Sequence, residues 1–270
     1  MRKNHEIELK IEDMDFPSKG FGYYDGKKIY VKNTLPGQRV RAWITKIKKE
    51  YAEARLLEVV ENSALESSSF CKHFGKCGGC TYQTLPYEKQ LEIKSMLVKK
   101  LFEQSGIRDF EFLGIEGSPE PFSYRNKMEY SFGDEEKGGE MTLGMHKKGR
   151  LYDIVTVENC GIVHQDFNEI LKNTLTYFQE RKIPYYHTKT QKGFLRHLVV
   201  RKSAKREEIL IVLVTTTQEN VDMKGWVERM LQLKLQGKIV GILHTFNDSL
   251  ADAVINEKTQ ILWGQNYFCE

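Results

Sequence analysis

Three cysteines lie within ten residues of this chain, and this cluster limits what the surrounding sequence can fold into. They are Cys71, Cys77 and Cys80, and a pair of glycines separates the last two. Five cysteines in 270 residues are too few for a disulfide-rich scaffold, and clustered thiols outside such scaffolds more often bind metal. Cys160 is the most plausible fourth ligand. The spacing therefore predicts a metal site completed from a distant segment.

Two kinds of metal group suit four thiolates. A cubane iron–sulfur cluster can take two of its ligands from one tight Cys-x2-Cys turn, such as the turn from Cys77 to Cys80. The intervening glycines leave room for backbone amides to point at cluster sulfides. Zinc ribbons more often pair two such turns, and this chain has one. The pattern favours iron–sulfur and leaves zinc as the alternative.

Composition places few further limits on function. The formal net charge is +4 and the sequence pI is about 8.6, which permits a polyanionic partner. No apolar run approaches the roughly 20 residues of a membrane span, and the N-terminus lacks a secretory apolar segment. We therefore expect a cytoplasmic protein with reduced thiols, without a membrane partner, and monomeric.

The first 62 residues have the pattern of a small all-β barrel. Ile7, Leu9 and Ile11 alternate with polar residues, as in a half-buried strand. Further short strands follow at turn-like spacing, which predicts an oligonucleotide-binding-type barrel over residues 1–62. Gly20 and Gly22 lack the third glycine and the helix of a dinucleotide-binding loop. We interpret them as sites of close backbone approach.

Basic residues next to aromatic ones make the barrel a candidate RNA-binding surface. Phosphates attract cations and unpaired bases stack on flat rings. A solvated charged surface is the alternative interpretation. Two later segments place cations at the edges of apolar strands, which also suits phosphate contacts. The predicted RNA contacts are Arg39, Arg41, Lys46, Lys48, Arg125, Lys127, Arg196 and His197.

The remainder is predicted to be a linker and a second domain. Residues 63–83 are a polar linker carrying the cysteine cluster, and residues 84–270 are a central α/β (α+β) domain. Its first helix is predicted to begin at Thr84 as the N-cap and to stop at Ser105 and Gly106. The other predicted elements are strands 127–132, 141–146, 195–200, 209–214, 239–244 and 253–255, with helices 166–181 and 223–235.

Three motifs together resemble a known family. Gly20 to Gly37 is similar to a TRAM barrel, the four cysteines are similar to a 4Fe-4S site, and Tyr124-Arg125-Asn126-Lys127 is similar to a central-domain motif. These motifs occur in this order in the S-adenosylmethionine-dependent RNA (uracil-5-)-methyltransferases, in the branch that modifies large-subunit ribosomal RNA. The resemblance covers essentially the whole chain.

The resemblance implies a 4Fe-4S cluster on Cys71, Cys77, Cys80 and Cys160, and an RNA-binding barrel. It also implies a C-terminal Rossmann-like domain that binds S-adenosylmethionine and carries the catalytic cysteine and base. No such motif appears in this chain, and its last residues are bulky and apolar. We therefore expect a truncated central domain without the methyltransferase domain. S-adenosylmethionine is then expected in the full-length protein only.

No catalytic residue can be assigned from the sequence. We find no phosphate-binding loop, nucleophile elbow or metalloprotease motif. The leading hypothesis is the RNA-recognition and iron–sulfur portion of a 23S ribosomal RNA (uracil-5-)-methyltransferase, which forms 5-methyluridine, with this segment binding RNA without catalysing. The alternative is a zinc-stabilised RNA-binding module with no enzymatic parent.

Overall fold

The computed structural model describes residues 1–251, 253–255 and 257–270. The chain divides into two compact units. Unit 1 contains residues 1–70 and 81–119, and unit 2 contains residues 71–80 and 120–270. The cysteine segment 71–80 thus belongs to unit 2, whereas the helix that follows it belongs to unit 1. The predicted boundaries after residues 62 and 83 do not coincide with this division.

Unit 1, whose residues are all described, is built on a six-stranded sheet in the order β1-β5-β6-β4-β3-β2. All its strand pairs are antiparallel except β4 with β6. Ile7, Leu9, Val40 and Ile44 point into a common apolar core, as the alternating pattern predicts. The strands are β1 (Glu6–Lys10), β2 (Asp13–Asp15), β3 (Lys19–Tyr24), β4 (Lys27–Lys32), β5 (Arg39–Ile47) and β6 (Tyr51–Glu61).

The sheet of unit 1 curls so that β1 and β3 approach each other closely. A Cβ atom on Gly22 would lie 2.0 Å from the carbonyl oxygen of Lys10, and one on Gly20 would lie 2.2 Å from Oγ1 of Thr34. No side chain fits at either position. Close backbone contact is thus confirmed at Gly22, whereas Gly20 makes room for the Thr34 side chain.

Helix α1 (Tyr87–Gln104) also belongs to unit 1. The prediction of Thr84 as its N-cap is wrong, because the helix begins after Pro86 and has no side-chain cap hydrogen bond. Proline suits this place because the first N–H groups of a helix have no partner within it, so the missing N–H of Pro86 costs no helical hydrogen bond. The predicted stop is confirmed at Ser105, and Gly106 has a φ of 77°. Buried residues of α1 pack with Met14, Leu35 and Leu85.

The described part of unit 2 contains a seven-stranded mixed sheet in the order β13-β12-β11-β10-β7-β8-β9. Only β11 and β12 run parallel, and helix α3 connects them. Phe167, Phe178 and Trp226 on the helices pack against the sheet. The elements are β7 (Lys127–Asp134), β8 (Met141–His146), β9 (Ile154–Thr156), α2 (Gln165–Glu180), β10 (Leu195–Lys202), β11 (Glu208–Thr215), α3 (Lys224–Leu231), β12 (Lys238–Phe246) and β13 (Lys258–Gly264).

The last predicted strand is wrong. Described residues 253–255 have no strand structure, and the final strand is β13, which pairs antiparallel with β12. Most of β13 is exposed, so it lacks the apolar alternation by which strands are recognised. Helix α3 ends at Leu231, four residues before its predicted end. Among the described residues, no helix combines the length and apolarity needed to span a membrane.

Candidate functional site

The cysteine segment of unit 2 is hydrogen-bonded to the chain just beyond β8. Cys77 forms a β-bridge with Lys147. The N–H of Gly78 donates to the carbonyl oxygen of His146 over 2.9 Å. The N–H of Lys148 donates to the carbonyl oxygen of Lys76 over 2.7 Å. A Cβ on Gly78 would lie 3.0 Å from the His146 oxygen. The sheet therefore positions the predicted Cys-x2-Cys turn through backbone contacts.

Tight turns give the segment its internal shape. The carbonyl oxygen of Cys71 accepts from the N–H of Phe74 over 3.0 Å, and that of His73 accepts from the N–H of Cys77 over 2.8 Å. The N–H of Gly79 points at Sγ of Cys77 over 3.4 Å. One backbone donor thus already faces a thiol sulfur, as expected for this kind of turn.

Cys160 lies in the loop that precedes α2. Its N–H donates to Oδ1 of Asn168 over 2.9 Å, and Asn168 is only 7% exposed. The same loop contacts the cysteine segment. Nζ of Lys72 is 2.6 Å from Oε2 of Glu158, and the N–H of Glu158 donates to Nε2 of His73 over 3.2 Å. The structure thus brings the two predicted ligand segments together within unit 2.

The cysteine side chains interact electrostatically with one another. All five cysteines of the chain are thiols. Burial raises the pKa of Cys77 and of Cys160, and the charge of Cys71 raises both further. Cys77, Cys80 and Cys160 are half-buried against the unit 2 core. Such a site disfavours free thiolates, and a bound cation would reverse this preference.

A buried hydroxyl lies in the same neighbourhood. Tyr130 on β7 is fully buried, and among the described residues its hydroxyl has no hydrogen-bond partner. Burial is the main cause that raises the pKa of Tyr130. The charge of Cys160 raises this pKa further, and the charge of Arg125 lowers it. Leaving such a donor unsatisfied costs about 1–3 kcal/mol. The donor suits a sulfur acceptor near Cys160.

These residues do not form a closed coordination sphere. Within the ranges that the structure describes, no group of three or more His, Cys, Asp or Glu side chains could hold a metal ion. The four cysteines fit a metal group in donor type and in their common location. Neither the iron–sulfur cluster nor the zinc alternative is shown.

The Tyr124–Lys127 motif is bonded to the Cys160 loop. The N–H of Arg125 donates to the carbonyl oxygen of Ile162 over 3.0 Å, and the N–H of Ser123 donates to that of Gly161 over 2.9 Å. Nζ of Lys127 is 3.2 Å from Oε2 of Glu129. The side chain of Arg125 is exposed and donates through Nε to the carbonyl oxygen of Lys127. This predicted RNA contact therefore lies on the surface next to the cysteines.

On β5, the two predicted RNA-binding arginines form ion pairs with glutamates. Arg39 is 3.3 Å from Glu61 and 3.5 Å from Glu8. Arg41 is 2.6 Å from Glu58 and 3.5 Å from Glu6. Exposed pairs of this kind are weak and screened by salt. RNA phosphates would have to compete with these carboxylates.

Two lysines extend the same predicted surface. Lys46 and Lys48 are exposed at the end of β5 and in the turn before β6. The carbonyl oxygen of Lys48 accepts from Nζ of Lys27 over 2.8 Å. Because Lys46 and Lys48 are exposed, a polyanion could reach both of their ammonium groups.

Arg196 and His197 are almost completely buried, and both line a cavity beside β7. They are 4% and 3% exposed. The Arg196 guanidinium donates to the carbonyl oxygens of Asn247, Ser249 and Ala251 over 2.6–2.8 Å. A bulge at this point of β10 interrupts the alternation of its side chains. Arg196 therefore holds the loop from Asn247 to Ala251, and neither residue is part of an open charged surface. Their contact with RNA stays a prediction.

An ionic network in unit 1 was not anticipated from the sequence. Asp15 accepts from Nζ of Lys28 and from the Tyr30 hydroxyl, each over 2.7 Å, and its other oxygen is 2.7 Å from Nζ of Lys100. Burial alone would raise the pKa of Asp15, but these bonds outweigh it and lower the pKa to about 2. No local pattern could reveal partners so distant along the chain.

Comparison with known proteins finds similarity to RNA methyltransferases. Residues 2–57 match the TRAM domain. An uncharacterized RNA methyltransferase of Clostridium tetani is 46% identical over 270 residues, which are 100% of this chain and 59% of that protein. One from Caldanaerobacter subterraneus subsp. tengcongensis is 48% identical over all of this chain and 60% of its own length. The chain thus spans about three-fifths of these relatives.

One solved structure has a similar fold. It is the Pyrococcus abyssi tRNA (uracil-54, C5)-methyltransferase in complex with S-adenosyl-L-homocysteine. The TM-score is 0.69 at 22% identity, and the match covers 96% of this chain and 55% of that chain. At this identity the likeness concerns the fold.

These comparisons contradict two predictions. One held that the methyltransferase domain is absent from this chain, and the other that this segment of a 23S ribosomal RNA enzyme binds RNA without catalysing. Both are wrong, because RNA methyltransferases match the chain along its entire length. The fold of a methyltransferase solved with S-adenosyl-L-homocysteine matches 96% of the chain. Both predictions were made because no catalytic or S-adenosylmethionine-binding motif was found in the sequence. Such motifs involve few residues, whereas the comparisons use the whole chain. The whole-length match also removes the reason for a zinc-stabilised module without an enzymatic parent. The TRAM domain and these relatives support the assignment of this chain to an RNA methyltransferase family.

Proposed function

We propose that this protein is an S-adenosylmethionine-dependent RNA methyltransferase that methylates C5 of uracil, and that it acts in the cytoplasm. The observation that carries the proposal is the 46–48% identity to RNA methyltransferases over all 270 residues. The position of methylation is suggested by the uracil-C5 enzyme of similar fold and by the sequence resemblance. When bound, S-adenosylmethionine supplies the methyl group. The residues of this chain bind and orient the RNA.

Large-subunit ribosomal RNA is the substrate we propose, with transfer RNA as the competing one. Exposed cations support RNA as the partner in both cases, namely Lys46 and Lys48 in unit 1 and Arg125 in unit 2. Cations at these places attract phosphates irrespective of sequence. They therefore do not distinguish the two RNAs, and the experiment must do so.

The test is methyl transfer from radiolabelled S-adenosylmethionine to each RNA. Unmodified large-subunit ribosomal RNA and unmodified tRNA are supplied in parallel, and the nucleosides are separated after digestion. We expect 5-methyluridine in the ribosomal RNA, and 5-methyluridine in tRNA alone would reassign the substrate. Label in a different nucleoside would contradict uracil C5, and no label in either RNA would contradict the proposed activity.

We further propose that Cys71, Cys77, Cys80 and Cys160 hold a 4Fe-4S cluster. Three observations support it: their common location in unit 2, the Gly79 N–H directed at Cys77 Sγ, and the Tyr130 hydroxyl without a partner among the described residues. Hydrogen bonds to sulfur are a usual feature of such clusters.

A single zinc ion is the less suitable occupant. Its thiolates must converge to about 2.3 Å from one point, and no three potential ligands among the described residues are so arranged. A cluster distributes its thiolates over four iron atoms, which keeps them further apart. Its role is proposed to be structural, since it would join the cysteine segment to the loop before α2.

Metal analysis tests the cluster. Protein purified without oxygen is expected to contain iron and acid-labile sulfide in equal amounts and to absorb broadly in the visible range. Cys160→Ser is expected to lower both contents and the melting temperature together. Cys269→Ser is the matched control, because Cys269 is an exposed thiol outside the proposed ligand set. Stoichiometric zinc in a colourless protein would contradict the cluster, and an unchanged melting temperature after cluster loss would contradict the structural role.

A further inference from the structure

A partly enclosed cavity of about 180 Å³ lies in unit 2 beside the end of β7. We call it the β7 pocket and define it by Asp134, Lys137, Tyr152, Tyr185, His187 and Lys189, all of which line it. None of these residues belongs to the cysteine site. The pocket combines aromatic, acidic and basic side chains.

The size of the β7 pocket suits one small ring. A cavity of about 150 Å³ in another protein binds a single benzene molecule. The 180 Å³ here therefore accommodates one pyrimidine base with little space left over. A purine, with its second ring, would have to remain partly outside.

Aromatic side chains form the walls. The rings of Tyr185 and His187 lie 6.4 Å apart between centroids at an interplanar angle of 30°. Tyr152 is 49% exposed at the mouth, and Nζ of Lys189 is 4.7 Å from its ring centroid. Such flat and partly exposed rings are what unstacked bases bind.

Asp134 gives the pocket a preference among pyrimidines. Its carboxylate accepts hydrogen bonds from the N–H of Gly138, over 2.8 Å, and from the Tyr185 hydroxyl. A carboxylate has about four acceptor sites, so it can accept further bonds. Cytosine presents an amino group that carboxylates bind, whereas uracil presents an oxygen at the same position, which the carboxylate repels.

Positive charge at the mouth completes the arrangement. Lys137 and Lys189 both line the pocket, and ammonium groups at this place can contact the phosphates on either side of an inserted base. We infer that the β7 pocket binds one unpaired cytosine of the RNA, separate from the uracil to be methylated. This inference rests on the proposed RNA methyltransferase function.

The test compares short oligo(C) and oligo(U) by fluorescence anisotropy. We expect oligo(C) to bind more tightly than oligo(U) to the wild-type protein. Tyr152→Ala should weaken oligo(C) binding about tenfold, because one stacking contact is lost, and Tyr152→Phe should restore it. Tyr267→Ala removes a tyrosine that is also exposed, at 59%, but lies outside the pocket, and it should have no effect.

Asp134→Asn is the specificity variant. An amide can donate to the uracil oxygen, so the preference for oligo(C) should disappear or reverse while total affinity changes little. Melting temperatures establish that each variant is folded. If a Tyr152 variant does not fold, the Asp134→Asn comparison still decides the question.

The outcomes separate the two proposals. If the wild-type protein binds neither oligonucleotide nor ribosomal RNA, the proposed function fails. If it binds RNA but treats oligo(C) and oligo(U) alike, and neither pocket variant changes this, only the β7 pocket inference is overturned. Free cytidine monophosphate that binds as tightly as oligo(C) would also overturn it, because the site would then be one for free nucleotides.

Discussion

The N–H of Cys160 donates a hydrogen bond to Oδ1 of Asn168 over 2.9 Å, and Nδ2 of Asn168 donates back to the Cys160 carbonyl oxygen over 3.4 Å. Asn168 lies in the first turn of α2 and is buried. One side chain thus satisfies both backbone groups of a proposed metal ligand. The position of Cys160 is determined by the helix without any metal.

Replacing Asn168 with alanine is expected to loosen this ligand. The backbone groups of Cys160 lose their partner, which should lower the free energy of unfolding by about 1–3 kcal/mol and reduce the iron content. Denaturant unfolding and metal analysis measure the two effects. Asn173→Ala, in the same helix, removes a bond to the Glu169 carbonyl oxygen and should leave iron content unchanged. Equal iron loss in both variants would contradict the role of Asn168.

Tyr130→Phe is expected to behave differently with and without the cluster. Without metal, removal of an unsatisfied hydroxyl should leave the free energy of unfolding unchanged or raise it by about 1 kcal/mol. With the cluster, loss of the donor should lower the reduction potential. Tyr185→Phe, which loses a bond to Asp134, should instead destabilise the protein by about 1 kcal/mol. A marked destabilisation of metal-free Tyr130→Phe would show that the hydroxyl has a partner in the protein.

Gly22→Ala tests the close approach of β1 and β3. The added Cβ would meet the Lys10 carbonyl oxygen at 2.0 Å, so the strands must separate, and we expect a loss of about 3 kcal/mol. Gly26→Ala is the control, because open space surrounds Gly26 but its φ is 70°. Its cost should be only about 1 kcal/mol, from the left-handed backbone. Urea unfolding of both variants gives the comparison, and similar losses would contradict the steric explanation.

His244 should make stability depend on pH. Burial lowers its pKa from 6.5 to about 4, so the unfolded chain takes up a proton at a higher pH than the folded protein does. Stability is therefore fully present above pH 6.5 and is lost as pH falls towards 4, by about 3 kcal/mol in total. Unfolding measured across this range for wild type and His244→Gln checks it, and the variant should show a smaller decrease. Parallel curves would assign the pH dependence to other groups.

The neutral form of His244 is consistent with its contacts. Nε2 is 2.8 Å from Oγ1 of Thr215, whose hydroxyl donates to the Thr216 carbonyl oxygen. Because that hydroxyl hydrogen is already used, Nε2 carries the proton and donates to Thr215. A second proton on Nδ1 would place a charge in the core, which explains the direction of the pKa shift.

Local patterns predicted most elements of both units. Strand β8 has its predicted bounds of Met141–His146, and α2 and β11 lie within one residue of theirs. Apolar alternation and helical spacing are clear in these elements because each buries one face or stripe. Strand β13 was missed because it is an exposed edge strand, paired by its backbone alone.

Sequence by itself predicted one site for the four cysteines. It also determined that residues near the N-terminus form a β structure with glycines at its close contacts, and that cations crowd certain strands. These properties depend on residue type and short spacing. Tertiary structure decided which cations remain exposed, that Arg196 is buried, that Asn168 and Tyr130 adjoin the cysteines, and that Asp134 and Tyr152 line one pocket. Such contacts join residues far apart in the chain, so they depend on strand order and packing, and no local pattern encodes those.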